Sequence, residues 1–144
     1  MQVTSKFTVA MHIILCIYHY APKQKVTSVF LSDSTGADAT IIRRLLGQLQ
    51  SAGILYVKPG VGGASLTMPL EKITMLNVYR AIEASDNNMF RFYENPESKC
   101  PIAQNIHAVL DSHLLEVQEA MYHKMSSINM QMLYDELLPM LDAN

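Results

Sequence analysis

Between Val26 and Met68 two short helical patterns precede two strand patterns, with Pro59-Gly60-Val61-Gly62-Gly63 between the strands. Thr27 and Ser28 are residue types that cap a first helix running to about Ser34. Gly36 then turns the chain so that Asp38 caps a second helix. In the second helix Ile42, Leu45, Leu46, Leu49 and Ala52 recur at three- and four-residue spacing, which predicts one buried stripe. At roughly 100° per residue, Thr40, Arg43, Arg44, Gly47 and Ser51 fall on the opposite side, and Gly53 ends the helix.

Ile54 to Lys58 is rich in β-branched and aromatic residues, and Ala64 to Met68 is a second short run. Helix, turn, helix and hairpin in that order outline a winged helix-turn-helix. The predicted class is therefore mainly α with a small two-stranded β wing. Arg43 and Arg44 beside Thr40 and Gly47 suit a helix lying in the DNA major groove, where Arg pairs with guanine edges or phosphates. Gly47 removes a side chain from that face, at a propensity cost of about 1 kcal/mol relative to Ala. Lys58 at the start of the hairpin tip is placed to reach a phosphate or the minor groove. Expected DNA contacts are thus Thr27, Ser28, Asp38, Thr40, Arg43, Arg44, Lys58, Gly60, Gly62 and Gly63. The competing reading is a solvated helix face whose arginines only confer solubility.

Charge is divided in the same sense. The net value is −2, yet the first half of the chain, through Lys72, is basic and the second half acidic. The basic half coincides with the proposed reader.

Several further segments align with one known pattern. They are Lys6-Phe7-Thr8-Val9-Ala10, Gly36, Leu49-Gln50-Ser51-Ala52-Gly53-Ile54-Leu55, Gly62-Gly63, and Ile73-Thr74-Met75-Leu76-Asn77-Val78-Tyr79-Arg80-Ala81-Ile82-Glu83. On these residues, over about positions 1 to 127, the chain resembles the Rrf-two (Rrf2) family of bacterial transcription regulators, relatives of IscR, NsrR and CymR. Ile42-Arg43-Arg44, the run from Gly60 to Leu66, Glu94-Asn95-Pro96 and Lys99-Cys100-Pro101 are most similar to the YwnA-like subgroup. The resemblance implies a dimeric winged-helix repressor on a partly palindromic operator, with a long helix pairing the subunits. It also implies, in many members, three cysteines holding an iron–sulfur cluster before that helix. Here only Cys100 lies in the segment, with Glu94 and Ile106 six residues to either side. One thiolate per chain does not supply such a cluster, so no cofactor is expected.

Cys100 precedes Pro101, a favoured first helical residue, which places the sulfur at a helix N-cap beside Lys99. Unpaired amides, the helix dipole and a lysine each favour the thiolate, the form that oxidants attack, so Cys100 is a candidate redox sensor. An ordinary capping cysteine is the alternative. Cys16 lies in an apolar run and reads as a small buried hydrophobe. His12, Cys16 and His19 share one helix face at metal-compatible spacing, but without a carboxylate a core or subunit-interface face is preferred, and no metal is expected. Two cysteines without a signal peptide suggest a reducing cytoplasm. The N-terminal apolar run, about 14 residues broken by His12, is too short to cross a membrane.

From Pro101 to about Ser126 there is neither Gly nor further Pro. Ile102, Ile106, Leu110, Leu114, Val117, Met121 and Met125 form a near-heptad stripe there. Such a helix, about 39 Å long at 1.5 Å per residue, outreaches one small domain. Ile106, Leu110, Leu114, Val117 and Met121 are therefore the expected dimerisation contacts.

The predicted organisation is a DNA-binding domain over residues 1–85, a linker over 86–100, the dimerisation helix over 101–127 and a C-terminal helix over 128–144. Within it, Ile73 to Ala84 is read as a helix against the wing, broken by Ser85-Asp86-Asn87-Asn88. Met130, Met132, Leu133, Leu137 and Leu138 are read as a cap on the dimer core. His107, His113 and His123 make no ligand pair, and no serine elbow, carboxylate pair or metal cluster suggests an enzyme. Two alternatives to a thiol-switched repressor stay open. One is a regulator holding a small molecule near Phe90, Phe92 and Tyr93, and the other is a protein-interaction module that has lost DNA binding.

Overall fold

The computed structural model describes residues 5–60, 62–83, 89–90 and 92–143. Val61 in the hairpin tip and the expected helix break at Ser85-Asp86-Asn87-Asn88 lie outside them. The described chain is mostly helical, with six α-helices and one two-stranded antiparallel sheet.

Helix α1 (Ser5–Tyr20) is apolar on most sides and buries Phe7, Ala10, Ile13, Ile14 and Ile17 completely or nearly so. It is the central post of the fold: α2 (Ser28–Thr35), α3 (Ala39–Ser51), strand β2 (Ala64–Leu66), α4 (Met75–Glu83) and α6 (Met130–Asp142) all pack on it. Thr27 caps α2 by accepting from the amide of Phe30 at 3.2 Å. Gly36 closes α2 at φ 75°, a left-handed conformation that strains any residue with a Cβ, and its amide donates to the carbonyl of Ser32. Ile42, Leu45, Leu46 and Leu49 of α3 are buried. Ala52, assigned to that stripe by spacing, is instead the exposed C-cap, because the helix stops at Ser51 and the chain turns away before another apolar position is reached.

The wing is shorter than the sequence predicts. Strands β1 (Leu55–Val57) and β2 pair Leu55 with Leu66, Tyr56 with Ser65 and Val57 with Ala64. Helix α4 does not rest mainly on this wing; it packs against α1, α3 and the long α5 (Pro101–Ser126), since Val78, Tyr79 and Ile82 are apolar on the side facing them. Its start is set by Thr74 and Asn77, whose side chains each accept from the other's amide, at 3.1 and 2.9 Å. A short 3-10 turn (Leu70–Lys72) precedes it.

Helix α5 packs on the core through its C-terminal part. Gln118 and Met125 are buried, Met121 and Tyr122 are half-buried against the core, and the Tyr122 ring lies 5.9 Å from that of Tyr79. Along its outer side Ile102, Val109 and Val117 are 72%, 63% and 48% exposed, apolar side chains that this subunit does not cover. The turn after α5 is pinned to the start of α4: Met75 donates to the carbonyl of Ile128 at 2.7 Å and Met130 to that of Ile73 at 2.8 Å.

Helix α6 then folds back onto this subunit's own 3-10 turn and α1. Its first turn is therefore anchored within its own subunit. Met130 is fully buried, whereas Met132, Leu138 and Met140 face outward. Among the described residues no helix is long and apolar enough to cross a membrane.

Gln118 is a buried polar residue that periodicity alone does not reveal. Its Oε1 accepts from the amide of Met89 at 2.6 Å, fixing the segment after α4 to α5. Gln118→Leu leaves that buried donor without its acceptor, and should lower the unfolding free energy by about 1–3 kcal/mol in urea titrations.

Candidate nucleic-acid interface

Helix α3 is gripped on one side and bare on the other. Opposite the buried Ile42, Leu45, Leu46 and Leu49, the residues Thr40, Arg43, Arg44, Gly47 and Ser51 are all exposed. The Arg43 guanidinium reaches the Thr40 hydroxyl at 3.4 Å and Arg44 extends freely beside it. Two delocalised cations beside a side-chain-free position form a surface that a helix can press against phosphates or base edges.

Asp38 takes the place expected of it as a cap. Its Oδ1 accepts from the amide of Thr40 at 2.8 Å, and that hydrogen bond is the main reason its carboxyl titrates below the usual aspartate value. The anion is committed to the helix start, so its contribution to a polyanion surface is to orient α3 rather than to touch a phosphate. Thr27 likewise spends its acceptor on α2, with Ser28 half-buried beside it. The first turn of α2 also presents Val29, 64% exposed. Nothing in its local sequence marks it, because α2 has too little amphipathic contrast to show which side faces out.

Wing and recognition-type helix are fastened together. The side-chain carbonyl of Gln50, in the last turn of α3, accepts from the amide of Val57 in β1 at 2.7 Å. Thr67 donates to the carbonyl of Gly53. The amide of Ala64 donates to the carbonyl of Val26 at 3.0 Å, tying β2 to the start of α2. At the tip, Lys58 donates to Gly63 at 3.1 Å and accepts from Gly62 at 3.2 Å, so its side chain projects from a closed turn. Gly60 and Gly62 are exposed, while Gly63 sits over the Lys25 side chain. The spacing of Gln50 and Val57 carries no local signal for the first of these ties.

Cys100 is exposed and is the N-cap of α5. Its thiol is held below the ordinary value by the free amides of Ala103 and then Ile102, not by the neighbouring Lys99. The backbone amide of Cys100 itself donates to the Ser98 hydroxyl at 3.2 Å. Two turns further on, His107 pairs through Nδ1 with Asp111 at 3.0 Å, and the rings of Tyr93 and Phe92 stand 5.5 and 6.4 Å from its imidazole. The two linker aromatics thus clasp a histidine on α5, while Phe90 packs on the core. In the sequence His107 has no assigned partner, and is read only as making no ligand pair with His113 or His123. Ile106, Leu110, Leu114 and Val117 lie on the outer length of α5, whereas Met121 belongs to this subunit's own core.

The Asp111 carboxylate is the main cause of a raised His107 value, above 6.5. A raised value means that the pairing adds stability fully present below the ordinary histidine range and lost as pH climbs through the raised value. An NMR titration should place the His107 midpoint above 6.5, and Asp111→Asn should bring it down. The thermal stability gap between the two proteins should be wider at about pH 5.5 than at about pH 8.

A model of the Rrf2 family, described as an iron-dependent transcriptional regulator, matches residues 3–136. YwnA of Bacillus subtilis (strain 168), named as an HTH-type transcriptional regulator, is 34% identical over 126 residues, 88% of this chain and 92% of its own length. A crystal structure described as a DNA-binding protein is 30% identical with a TM-score of 0.68, over 88% of this chain and 96% of that one. A transcriptional regulator from Lactobacillus plantarum is 24% identical, and superposes with a TM-score of 0.77 over 92% and 89% of the two chains.

Proposed function

Because this chain belongs to the Rrf2 family of transcriptional regulators, we propose that it is a sequence-specific DNA-binding repressor that acts as a homodimer in the cytoplasm. The family is one of regulators and not of enzymes. The observation that carries the DNA reading is the two-sided character of α3: a fully buried leucine–isoleucine face opposite exposed Arg43, Arg44 and Gly47. Helix α2 lies beside it with Thr27, Ser28 and Val29 at its start, and the wing carries Lys58 on a closed tip. In this reading α3 enters the major groove, the arginines meet guanine edges and phosphates, and Lys58 meets the flanking backbone.

The uncovered apolar length of α5 supports the dimer. A helix carrying Ile106, Leu110, Leu114 and Val117 outside its own subunit's core gains most by pairing with its copy. Two-fold symmetry then sets the two α3 helices on successive major grooves about 34 Å apart. An iron–sulfur cluster has no place in this reading. Cys100 is the single cysteine of its segment, and one thiolate per chain does not supply such a cluster.

Control by Cys100 rests on its exposure and on the amides that favour its thiolate. Peroxide converts such a thiolate to a sulfenate with release of water. The change falls where linker and α5 meet, between reader and dimer seam.

Arg43→Ala and Arg44→Ala should each weaken binding to the preferred site, found by in vitro selection, by about 1–3 kcal/mol. Lys58→Ala should reduce the salt slope of binding by about 1. Retention of full affinity by both arginine variants would remove the DNA reading. In sedimentation equilibrium Val117→Asp should give a folded monomer that no longer prefers a palindrome. Treatment with peroxide should release wild type from its site and leave Cys100→Ser bound; release of both would discard the thiol switch.

A further inference from the structure

Helix α3 carries one aliphatic side chain that the core leaves out. Ile42, Leu45, Leu46 and Leu49 are no more than 6% exposed, whereas Ile41 is 38% exposed. Ile41 lies in the first turn of the helix. At about 100° per residue it falls at the edge of the bare side, where Ile41, Arg44, Thr40 and Arg43 follow one another around the cylinder. Along the flank that Ile41 begins, Leu45 one turn on is buried. Two turns on, the Gln48 side-chain amide donates to the carbonyl of Ile82 at 3.4 Å. Beyond Ile41, therefore, that flank closes against the subunit.

The backbone on either side of Ile41 is held. The Asp38 carboxylate accepts from the amide of Thr40 at 2.8 Å, and the amide of Ile42 donates to the Asp38 carbonyl at 3.0 Å. A β-branched side chain in a helix keeps one strongly preferred χ1 rotamer, so Ile41 presents its methyl groups outward at little further cost in entropy. Its neighbours on the bare side are two guanidinium groups, of which Arg43 reaches the Thr40 hydroxyl at 3.4 Å. An apolar group at the rim of a cationic strip matches a partner whose apolar spot is framed by negative charge. The major groove of DNA is such a partner, for between its phosphates the thymine C5-methyl is the apolar group on the base edges.

Resting on the DNA reading above, we propose that Ile41 is a specificity-determining residue that packs on the C5-methyl of a thymine beside the base pair met by Arg44. The N-terminal part of a recognition helix is the part that reaches base edges, and Ile41 sits there. Side chains three residues apart on a helix are separated by about 5–6 Å at Cβ, against a rise of about 3.4 Å per base pair. The thymine therefore lies one or two base pairs from the position met by Arg44. The arginines select guanine edges and phosphates, and Ile41 adds a preference that no hydrogen bond supplies.

The test starts from the preferred duplex found by in vitro selection. Each thymine of its half-sites is replaced, one symmetry-related pair at a time, by 2′-deoxyuridine, which removes the methyl and keeps the base pairing. Binding of the full-length protein is followed by fluorescence anisotropy. We expect one such exchange to weaken wild type by about fourfold for each methyl lost, at a thymine within two base pairs of the position where Arg44→Ala relaxes the selected sequence. Ile41→Ala should bind the thymine and uracil duplexes equally, and Ile41→Val should keep most of the difference. Each comparison is a ratio within one protein, so a loss of folded fraction in a variant cancels; Ile41→Ser gives the same readout should the alanine variant misfold. No penalty at any thymine, or a penalty that Ile41→Ala retains in full, overturns this inference and leaves the DNA reading standing. Failure of the selection to enrich any duplex overturns both.

Discussion

The burial of one face of α3 governs what the rest of the chain presents. Ile42, Leu45, Leu46 and Leu49 are held by α1, α2 and α4, and with four apolar side chains removed from water the helix has no freedom to roll. That fixity aims Arg43 and Arg44. It also gives the wing a rigid base, since Gln50 in the same helix accepts from the amide of Val57. Helix α3 and the wing are therefore tied directly to one another.

Much of this was legible from spacing. The α3 stripe is strongly amphipathic, and Thr27, Gly36 and Asp38 are residues whose backbone chemistry leaves few alternatives, so the ends of α2 and the start of α3 could be read directly. The failures share a cause. Ala52 continued the periodicity on paper, but a helix end is decided by the competition among Ser51, Ala52 and the positive-φ Gly53, which periodicity does not weigh. Helix α4 was assigned to the wing because the wing precedes it in sequence; Val78, Tyr79 and Ile82 instead face α1, α3 and α5.

Features that needed long-range partners were beyond sequence reasoning. Gln118 looked like one more polar residue on a helix, and only the arrival of the Met89 amide makes it a buried bond. His107 looked solvated until Phe92 and Tyr93 closed on it. His12, Cys16 and His19 were recognised as one face, but a face becomes a groove only when a second wall stands opposite, and that wall, Leu137 and Leu141, lies more than a hundred residues further along the chain.

The pairing of Thr74 with Asn129 makes α5 a pointer clamped at its base. Rotation about such a clamp is magnified with distance. Over a helix of about 39 Å, a tilt of about 5° carries the far end through about 3.4 Å, which is the rise of one base pair. The residues at that far end are Cys100 and Pro101. The bridge at Thr74 and Asn129 thus fixes the base from which the position of Cys100 is set along the length of α5.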